Sequence, residues 1–360
     1  MKTKLVYVLT CAPEHHYIEW ALISLCSLRR IHPESYTVLI VDDLTNELLV
    51  DDRAEILNYV SEKIVAYDCP KDMSLNDRSR FLKTSVRQRI SGDFLFVDCD
   101  TIICRSVNAI NKFKKISACL DSHLYLEEYN ANLYAELGCK LQKIGIDINQ
   151  EVIYFNSGIM FVPESDESHL LYKNWHTIWK DNHKKGIYQD QPSLALANKK
   201  MGYIIHRMSD LYNCIVYTQN TFIREAHILH ISSFENPSYL FSKRVLKFIQ
   251  ENGINHKWVQ WVIGNPYGTM LPFDNAIYRS TIKERLKWVR EIVEHSSNYG
   301  KYIDNTFTDF PMQSRLKGVV RTLFRLRMYT FGALFWMCWK RLQLAIRNKS
   351  LKDNINRCDE

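Results

Sequence analysis

The sequence predicts an α/β fold, with a mixed, mostly parallel sheet between helices and a helical extension at the C-terminal end. Three observations predict it. Short apolar runs alternate with helix-length amphipathic segments through the first 160 residues. Several runs are nearly continuous in Val, Ile, Leu, Phe and Tyr, as expected of strands covered on both faces. The order strand, helix, strand, helix, strand is that of parallel strands joined by crossovers.

The expected strands cover residues 4–10, 37–41, 63–66, 94–98, 116–120 and 152–162, with later ones at 204–208 and 227–231. A helix is expected over 14–31, because Ile18, Ala21, Leu22, Leu25 and Cys26 fall on one stripe and Pro33 marks its end. Further helices fit 47–60, 77–90, 168–181 and 191–199. After residue 234 the pattern turns helical and aromatic, with Trp258, Trp261 and Trp288. Three regions are therefore expected: a catalytic α/β domain over 1–240, a helical aromatic-rich region over 241–310, and a basic amphipathic tail over 311–360. Ligands of such sheets sit outside the carboxyl ends of the strands, which says where to look for chemistry.

The 360 residues are 46% hydrophobic and 24% charged, an ordinary globular composition that excludes disorder as the default. The apolar run at residues 5–9 is too short for the core of a secretory signal, and it reads as a first buried strand. Ten cysteines without a CxxC pair indicate reduced thiols and argue against a cysteine-held zinc; a cytoplasmic protein is expected. Cys11, Cys26, Cys119 and Cys214 sit in apolar stretches and read as small core residues.

The strongest chemical signal is Phe94-Leu95-Phe96-Val97-Asp98-Cys99-Asp100. In extended backbone, positions i and i+2 point the same way, so Asp98 and Asp100 can face one space while Cys99 faces another. Two adjacent carboxylates repel unless one takes a proton or a cation joins them. A hard divalent ion resolves the conflict and commonly ties such carboxylates to substrate phosphates. The plainer reading is two solvated aspartates in a turn; the buried strand before them and the preceding βα units favour the metal. Asp42 and Asp43, which end the second strand, point to opposite faces; one reads as a helix or turn cap, with a nucleotide contact as the alternative. Arg80 and Lys83, three residues apart, share a helix face and read either as donor contacts or as surface charges.

In order and spacing, Asp98-Cys99-Asp100, Phe155-Asn156-Ser157-Gly158, Asp190-Gln191 and His230 resemble the family 8 glycosyltransferases over residues 4–235. The resemblance implies a GT-A fold, retaining transfer from a UDP-sugar, and Mn²⁺ (or Mg²⁺) as cofactor. It implies Asp98, Asp100 and His230 as metal ligands, with Asn156, Asp190 and Gln191 at the reacting sugar. It places Ser157 and Gly158, with Asn156 and the two aspartates, around the nucleotide-sugar donor; Arg80 and Lys83 are candidate donor contacts from the preceding helix, and Tyr17 is a ring able to stack on the base. Read alone, His230 is a core histidine, Asn156 and Gly158 a turn, and Asp190 a helix N-cap. The chain departs from the family in the loop Thr10-Cys11-Ala12-Pro13-Glu14-His15-His16-Tyr17, which lacks an aspartate near the base, and after His230, where Ser232-Ser233-Phe234-Glu235 replaces a lysine-rich ending.

The net charge of +7 is uneven: residues 311–350 carry nine Lys or Arg and no Asp or Glu, which leaves the other 320 at about −2. The apolar run 328–339, flanked by Arg325, Arg327, Lys340 and Arg341, is about half the ~20 residues a spanning helix needs. Such a segment fits a helix lying on an anionic membrane surface, or one packed on the protein. No nucleic-acid motif is present. The expected partners are thus a nucleotide-diphosphate sugar, a glycan or lipid-linked acceptor and the inner face of a membrane. The competing functions are a catalytically silent binding protein of the same fold and a sugar nucleotidyltransferase; the latter lacks the glycine-rich phosphate loop it would want.

Overall fold

The computed structural model describes residues 2–264 other than 124, 127–130, 148–151, 216–224 and 232–242. These belong to one compact unit, Met1–Ser233 with Phe241–Gly264. The second unit, Phe234–Leu240 with Asn265–Glu360, lies outside the described residues, and with it the expected basic tail and the helical region from residue 265 onward.

The chain opens with β1 (Lys4–Leu9), α1 (Tyr17–Ile31), β2 (Thr37–Asp42), α2 (Asp43–Glu47), β3 (Glu62–Ala66), α3 (Leu75–Thr84) and β4 (Phe94–Val97). It continues with β5 (Thr101–Ile103), β6 (Ser117–Leu120), α4 (Ala131–Lys143), β7 (Phe155–Val162), α5 (Asp166–Lys184) and α6 (Asp190–Lys200). Short strands β8 (His206–Arg207), β9 (Cys214–Ile215) and β10 (Ile228–His230) follow, then α7 (Lys243–Asn252) and α8 (Lys257–Gly264).

The main sheet has seven strands in the order β3-β2-β1-β4-β7-β6-β8, and a small sheet has the order β5-β10-β9. In the main sheet only β7 runs against its neighbours, β4 and β6; the other pairs are parallel. The chain order reverses between β1 and β4, which makes the crevice beyond their carboxyl ends the ligand position of an open α/β sheet. β2, β4 and β7 are buried along their whole length: β4 is an unbroken apolar run, β2 is apolar between Thr37 and Asp42, and β7 is apolar from Ile159 onward, after the polar Asn156-Ser157 pair at its start. The α1 stripe of Ile18, Ala21, Leu22, Leu25 and Cys26 is no more than 4% exposed. Each such leucine or isoleucine contributes about 1.5–3 kcal/mol by leaving water. Cys11, Cys26, Cys119 and Cys214 are all buried free thiols.

Three expectations need correction. The helix over 47–60 is instead α2, capped by Asp42, followed by a 3-10 helix over Asp51–Tyr59. Asp51 has φ +48°, a left-handed conformation that an α-helix cannot contain. The helix over 77–90 is α3, which begins earlier because Ser74 accepts from the backbone N–H of Asp77. It ends at Thr84, where the hydroxyls of Thr84 and Ser85 bond back to Arg80 and Phe81 carbonyls and a 3-10 turn over Val86–Gln88 follows. Asp190 is not the N-cap of α6; Gln189 is, and Asp190 is the first helical residue, its carboxylate turned to other partners.

α7 and α8 pack against α1. Their junction is fixed by Glu55, which accepts from the Ile254 backbone N–H and the Asn255 amide, both at 3.1 Å. Among the described residues, no helix is long and apolar enough to cross a membrane.

Candidate active site

The residues after β4 are pinned from two sides. The Asp98 N–H donates to the Gly158 carbonyl on β7 at 2.8 Å, and the Asp100 carbonyl accepts from the Ile231 N–H after β10 at 2.9 Å. The Cys99 thiol points back to β1, donating to the Val8 carbonyl at 3.2 Å. Asp98 and Asp100 turn to one space, and β10 brings His230 to it. His230 Nε2 lies 3.2 Å from Asp100 Oδ1 and 3.9 Å from Asp98 Oδ2.

These three side chains offer ligand atoms that all lie within 4.8 Å of one another. A hard ion held at 2.0–2.6 Å by its ligands spans at most about 5 Å between them, so the set fits one divalent cation. The backbone beside it has been cleared of side chain. A Cβ built on Gly158 would collide with the His230 ring and come 2.8 Å from Asp98 Oδ2 and 2.9 Å from Asn156 Oδ1. Glycine at 158 is thus a requirement of close approach.

Lys83 and Arg80 reach the same space from α3. Lys83 Nζ lies 3.0 Å from Asp98 Oδ2 and 3.7 Å from Asp190 Oδ2, and 5.1 Å above the Phe96 ring. Arg80 Nε lies 3.9 Å from Asp190 Oδ1. Asp190 also accepts from the Ser157 hydroxyl at 2.6 Å, while its carbonyl accepts from the Trp175 indole at 2.9 Å. Neighbouring β7 side chains alternate faces: Ser157 meets Asp190, and Asn156 turns the other way.

The Asn156 amide is engaged by protein on both ends. Its oxygen accepts from the Gly158 N–H and from Asn213 Nδ2, each at 2.9 Å, and its nitrogen donates to Asp121 Oδ1 at 2.9 Å. Gln191 Nε2 donates to the same Asp121 oxygen at 2.9 Å. Asn213 Oδ1 faces His230 Nδ1 at 2.8 Å. A continuous hydrogen-bonded path therefore runs His230, Asn213, Asn156, Asp121, Gln191.

Asp98, Asp100 and Asp190 face Lys83, Arg80 and His230, and a divalent ion between Asp98 and Asp100 would relieve the repulsion of those two carboxylates. Burial pushes the Asp98 carboxyl above its ordinary range, with Lys83 opposing. Burial acts on Asp100 the same way, but His230 outweighs it and holds Asp100 below the usual carboxylate range. Asp190 is likewise held low, burial being overcome by Lys83 and the Ser157 hydroxyl. Burial lowers Lys83, but Asp98 and Asp190 more than reverse this and keep it an ammonium.

At the rim, Tyr17 stacks on His15 with centroids 5.3 Å apart. Its phenol is raised by burial, then by Cys11 and by the Asp100 carboxylate. The loop before it is tied down from behind: the Cys11 N–H donates to Thr45 Oγ1 at 2.8 Å, and Arg53 donates to the His15 carbonyl at 2.8 Å. Asp42 takes no part in the site; it caps α2 by accepting from the Thr45 N–H and pairs with Arg78 at 2.5 Å.

The structure thus gathers Asp98, Asp100, His230, Lys83, Arg80, Asn156, Ser157, Gly158, Asp190 and Gln191 into one cluster; Tyr17 packs against His15 and Trp20 and, among the described residues, makes no hydrogen bond or ion pair with it. Sequence reading missed Asp121 and Asn213. Asp121 had a signal: it follows the apolar run 116–120 as Asp98 follows 94–97. Asn213 had none.

The chain matches no protein-family model and no curated protein sequence. Similar solved structures include mouse xyloside xylosyltransferase 1 in its apo form, at 13% identity and TM-score 0.42, covering 64% of this chain and 97% of that one. The galactosyltransferase LgtC with donor and acceptor sugar analogues is similar at 12% identity and TM-score 0.43, covering 69% and 95%. The glycosyltransferase GlyE of Streptococcus pneumoniae is similar at 16% identity and TM-score 0.46, covering 76% and 66%.

Proposed function

We propose that this chain is a metal-assisted glycosyltransferase that moves a hexose from a nucleotide-diphosphate sugar, UDP-linked, to a glycan or lipid-linked acceptor with retention at the anomeric carbon. The observation that carries the reading is the convergence of Asp98, Asp100 and His230 beside Lys83 and Asp190, at the carboxyl ends of the strands where the sheet order reverses.

Asp98, Asp100 and His230 would hold Mn²⁺ or Mg²⁺, which would neutralise the diphosphate and stabilise the charge it gains on leaving. Tyr17 stacks on the base. Lys83 and Arg80 reach phosphate and sugar oxygens. Asp190, held anionic, stabilises positive charge developing at the anomeric carbon, and Gln191 and the 156–158 segment form the floor under the sugar. The bond from anomeric carbon to diphosphate breaks and one to the acceptor oxygen forms on the same face. The acceptor proton passes to the departing phosphate oxygen. The basic segment 311–350 holds the enzyme peripherally on the cytoplasmic face of an anionic membrane, where a lipid-linked acceptor would lie.

A panel of nucleotide sugars, read by thermal shift and donor hydrolysis with Mn²⁺ and with chelator, tests this reading. One UDP-sugar is expected to stabilise the protein only with metal and to be hydrolysed, with hydrolysis lost in Asp100→Ala. Wild-type hydrolysis insensitive to both chelator and Asp100→Ala would overturn it. The anomeric configuration of the transferred sugar, read by NMR, decides retention.

A further inference from the structure

We propose that Asn213 is a positioning residue for the metal: it fixes which nitrogen of His230 is available as a ligand and joins that ligand to the Asn156 amide under the donor sugar. This inference rests on the metal reading above and adds to it a residue that never touches the ion.

The argument begins at a group whose role is not adjustable. The Gly158 backbone N–H can only donate, and it lies 2.9 Å from Asn156 Oδ1, which identifies that atom as the amide oxygen. The second neighbour of that oxygen, Asn213 at 2.9 Å, must also be a donor, so the nitrogen of Asn213 faces Asn156. The oxygen of Asn213 then faces His230 Nδ1 at 2.8 Å, and an oxygen acceptor requires Nδ1 to carry the proton. The far end of the path agrees: Asn156 Nδ2 donates to Asp121, a carboxylate that can only accept. In the neutral imidazole the lone pair is then on Nε2, the nitrogen that faces Asp100 and Asp98 at 3.2 and 3.9 Å. A backbone N–H on β7 thereby sets the tautomer of a histidine on β10 through two amides.

Asn213 and His230 are fully packed, at 0% and 3% exposure, so water does not replace the amide. Partners that orient ligating histidines in this way typically govern metal affinity by 10–100-fold.

Two substitutions separate the two halves of the amide. Asn213→Leu removes both acceptor and donor and is expected to weaken Mn²⁺ binding by about 10–100-fold, measured on the full chain by calorimetry or by the EPR signal of free Mn²⁺. Asn213→Asp keeps the acceptor toward His230 and loses the donor toward Asn156. It is expected to hold Mn²⁺ within about threefold of wild type while donor hydrolysis falls. Wild-type Mn²⁺ affinity in a folded Asn213→Leu protein overturns the inference, as does Asn213→Asp binding Mn²⁺ as weakly as Asn213→Leu. A readout on the unaltered chain covers the case in which a variant does not fold. In the Cd²⁺-loaded wild-type protein, imidazole ¹⁵N shifts are expected to show His230 protonated on Nδ1 and metal-bound through Nε2. Metal on Nδ1 overturns the inference alone, whereas wild-type protein that binds neither Mn²⁺ nor Cd²⁺ overturns the metal reading together with it.

Discussion

Lys83 stands between two acids that approach from different elements: its ammonium is 3.0 Å from Asp98 after β4 and 3.7 Å from Asp190 at the start of α6. One cation thus ties the end of β4 to the start of α6. Removing it leaves the buried Asp190 and the half-buried Asp98 without their shared partner. Lys83→Met is expected to destabilise the metal-free protein by about 3 kcal/mol. Denaturant melts with and without Mn²⁺ check this, and saturating metal is expected to restore part of the loss. An unchanged melt would show that Lys83 holds nothing in place.

Gly158 makes a sharper steric prediction. A methyl group there has nowhere to go, because the His230 ring, Asp98 Oδ2 and Asn156 Oδ1 already occupy its surroundings. Gly158→Ala is expected to cost about 1–3 kcal/mol by overpacking. It should also weaken Mn²⁺ binding at least about tenfold, since it displaces groups that orient or supply ligands. Calorimetric Mn²⁺ titration of a folded variant with unaltered affinity would contradict the placement of the site.

A buried histidine away from the site gives the pH dependence. Burial, reinforced by Lys180 and Arg89, pushes His176 down to about 4. Its Nδ1 lies 2.8 Å from the Thr84 hydroxyl, and its ring packs edge-on against Phe81. The folded state therefore keeps it neutral where the unfolded chain, near 6.5, already takes the proton. Stability from this residue is present above about pH 6.5 and is lost as pH falls toward 4. After allowance for solvent screening the loss is about 2 kcal/mol. Urea melts between pH 7 and 4.5 are expected to fall more steeply for wild type than for His176→Gln; parallel curves would remove His176 as the cause.

The basic segment predicts a separable activity. A chain ending at Asp309 is expected to keep donor hydrolysis and to stop sedimenting with anionic vesicles, while the full chain sediments with them and is released by salt. A full chain that ignores such vesicles would refute the surface-binding proposal.

Much of this arrangement was legible because it repeats one local pattern. An apolar run followed by an acid marks the end of a covered strand, and Asp98 was found that way. The alternation expected of extended backbone put Asp100 with it and Cys99 elsewhere; the structure keeps that division although Cys99 and Asp100 form a bend after the strand ends. The FNSG segment and His230 needed the resemblance, since neither announces a site by itself. Asn213 stayed hidden because its meaning lies entirely in partners 57 and 17 residues away. The break between α2 and the following 3-10 helix was hidden for the opposite reason: it turns on the left-handed backbone of Asp51, an exposed residue with no pattern to betray it.

The reversed strand has a consequence for how this rim can vary. Because β7 runs against β4 and β6, its first residues, and not its last, lie beside the places where those strands stop: Val97 pairs with Ile159 and Leu120 with Phe155. The β4–β7 ladder runs in regular register up to Val97, while the β6–β7 pairing is irregular between Ala118 and Leu120, so the start of β7 is held firmly against β4. A slip of one residue along that ladder would exchange the sides to which Asn156 and Ser157 point, undoing both halves of the cleft together. Loops can be lengthened or replaced around such a rim to admit other acceptors, while the strand that carries its floor has no intermediate setting.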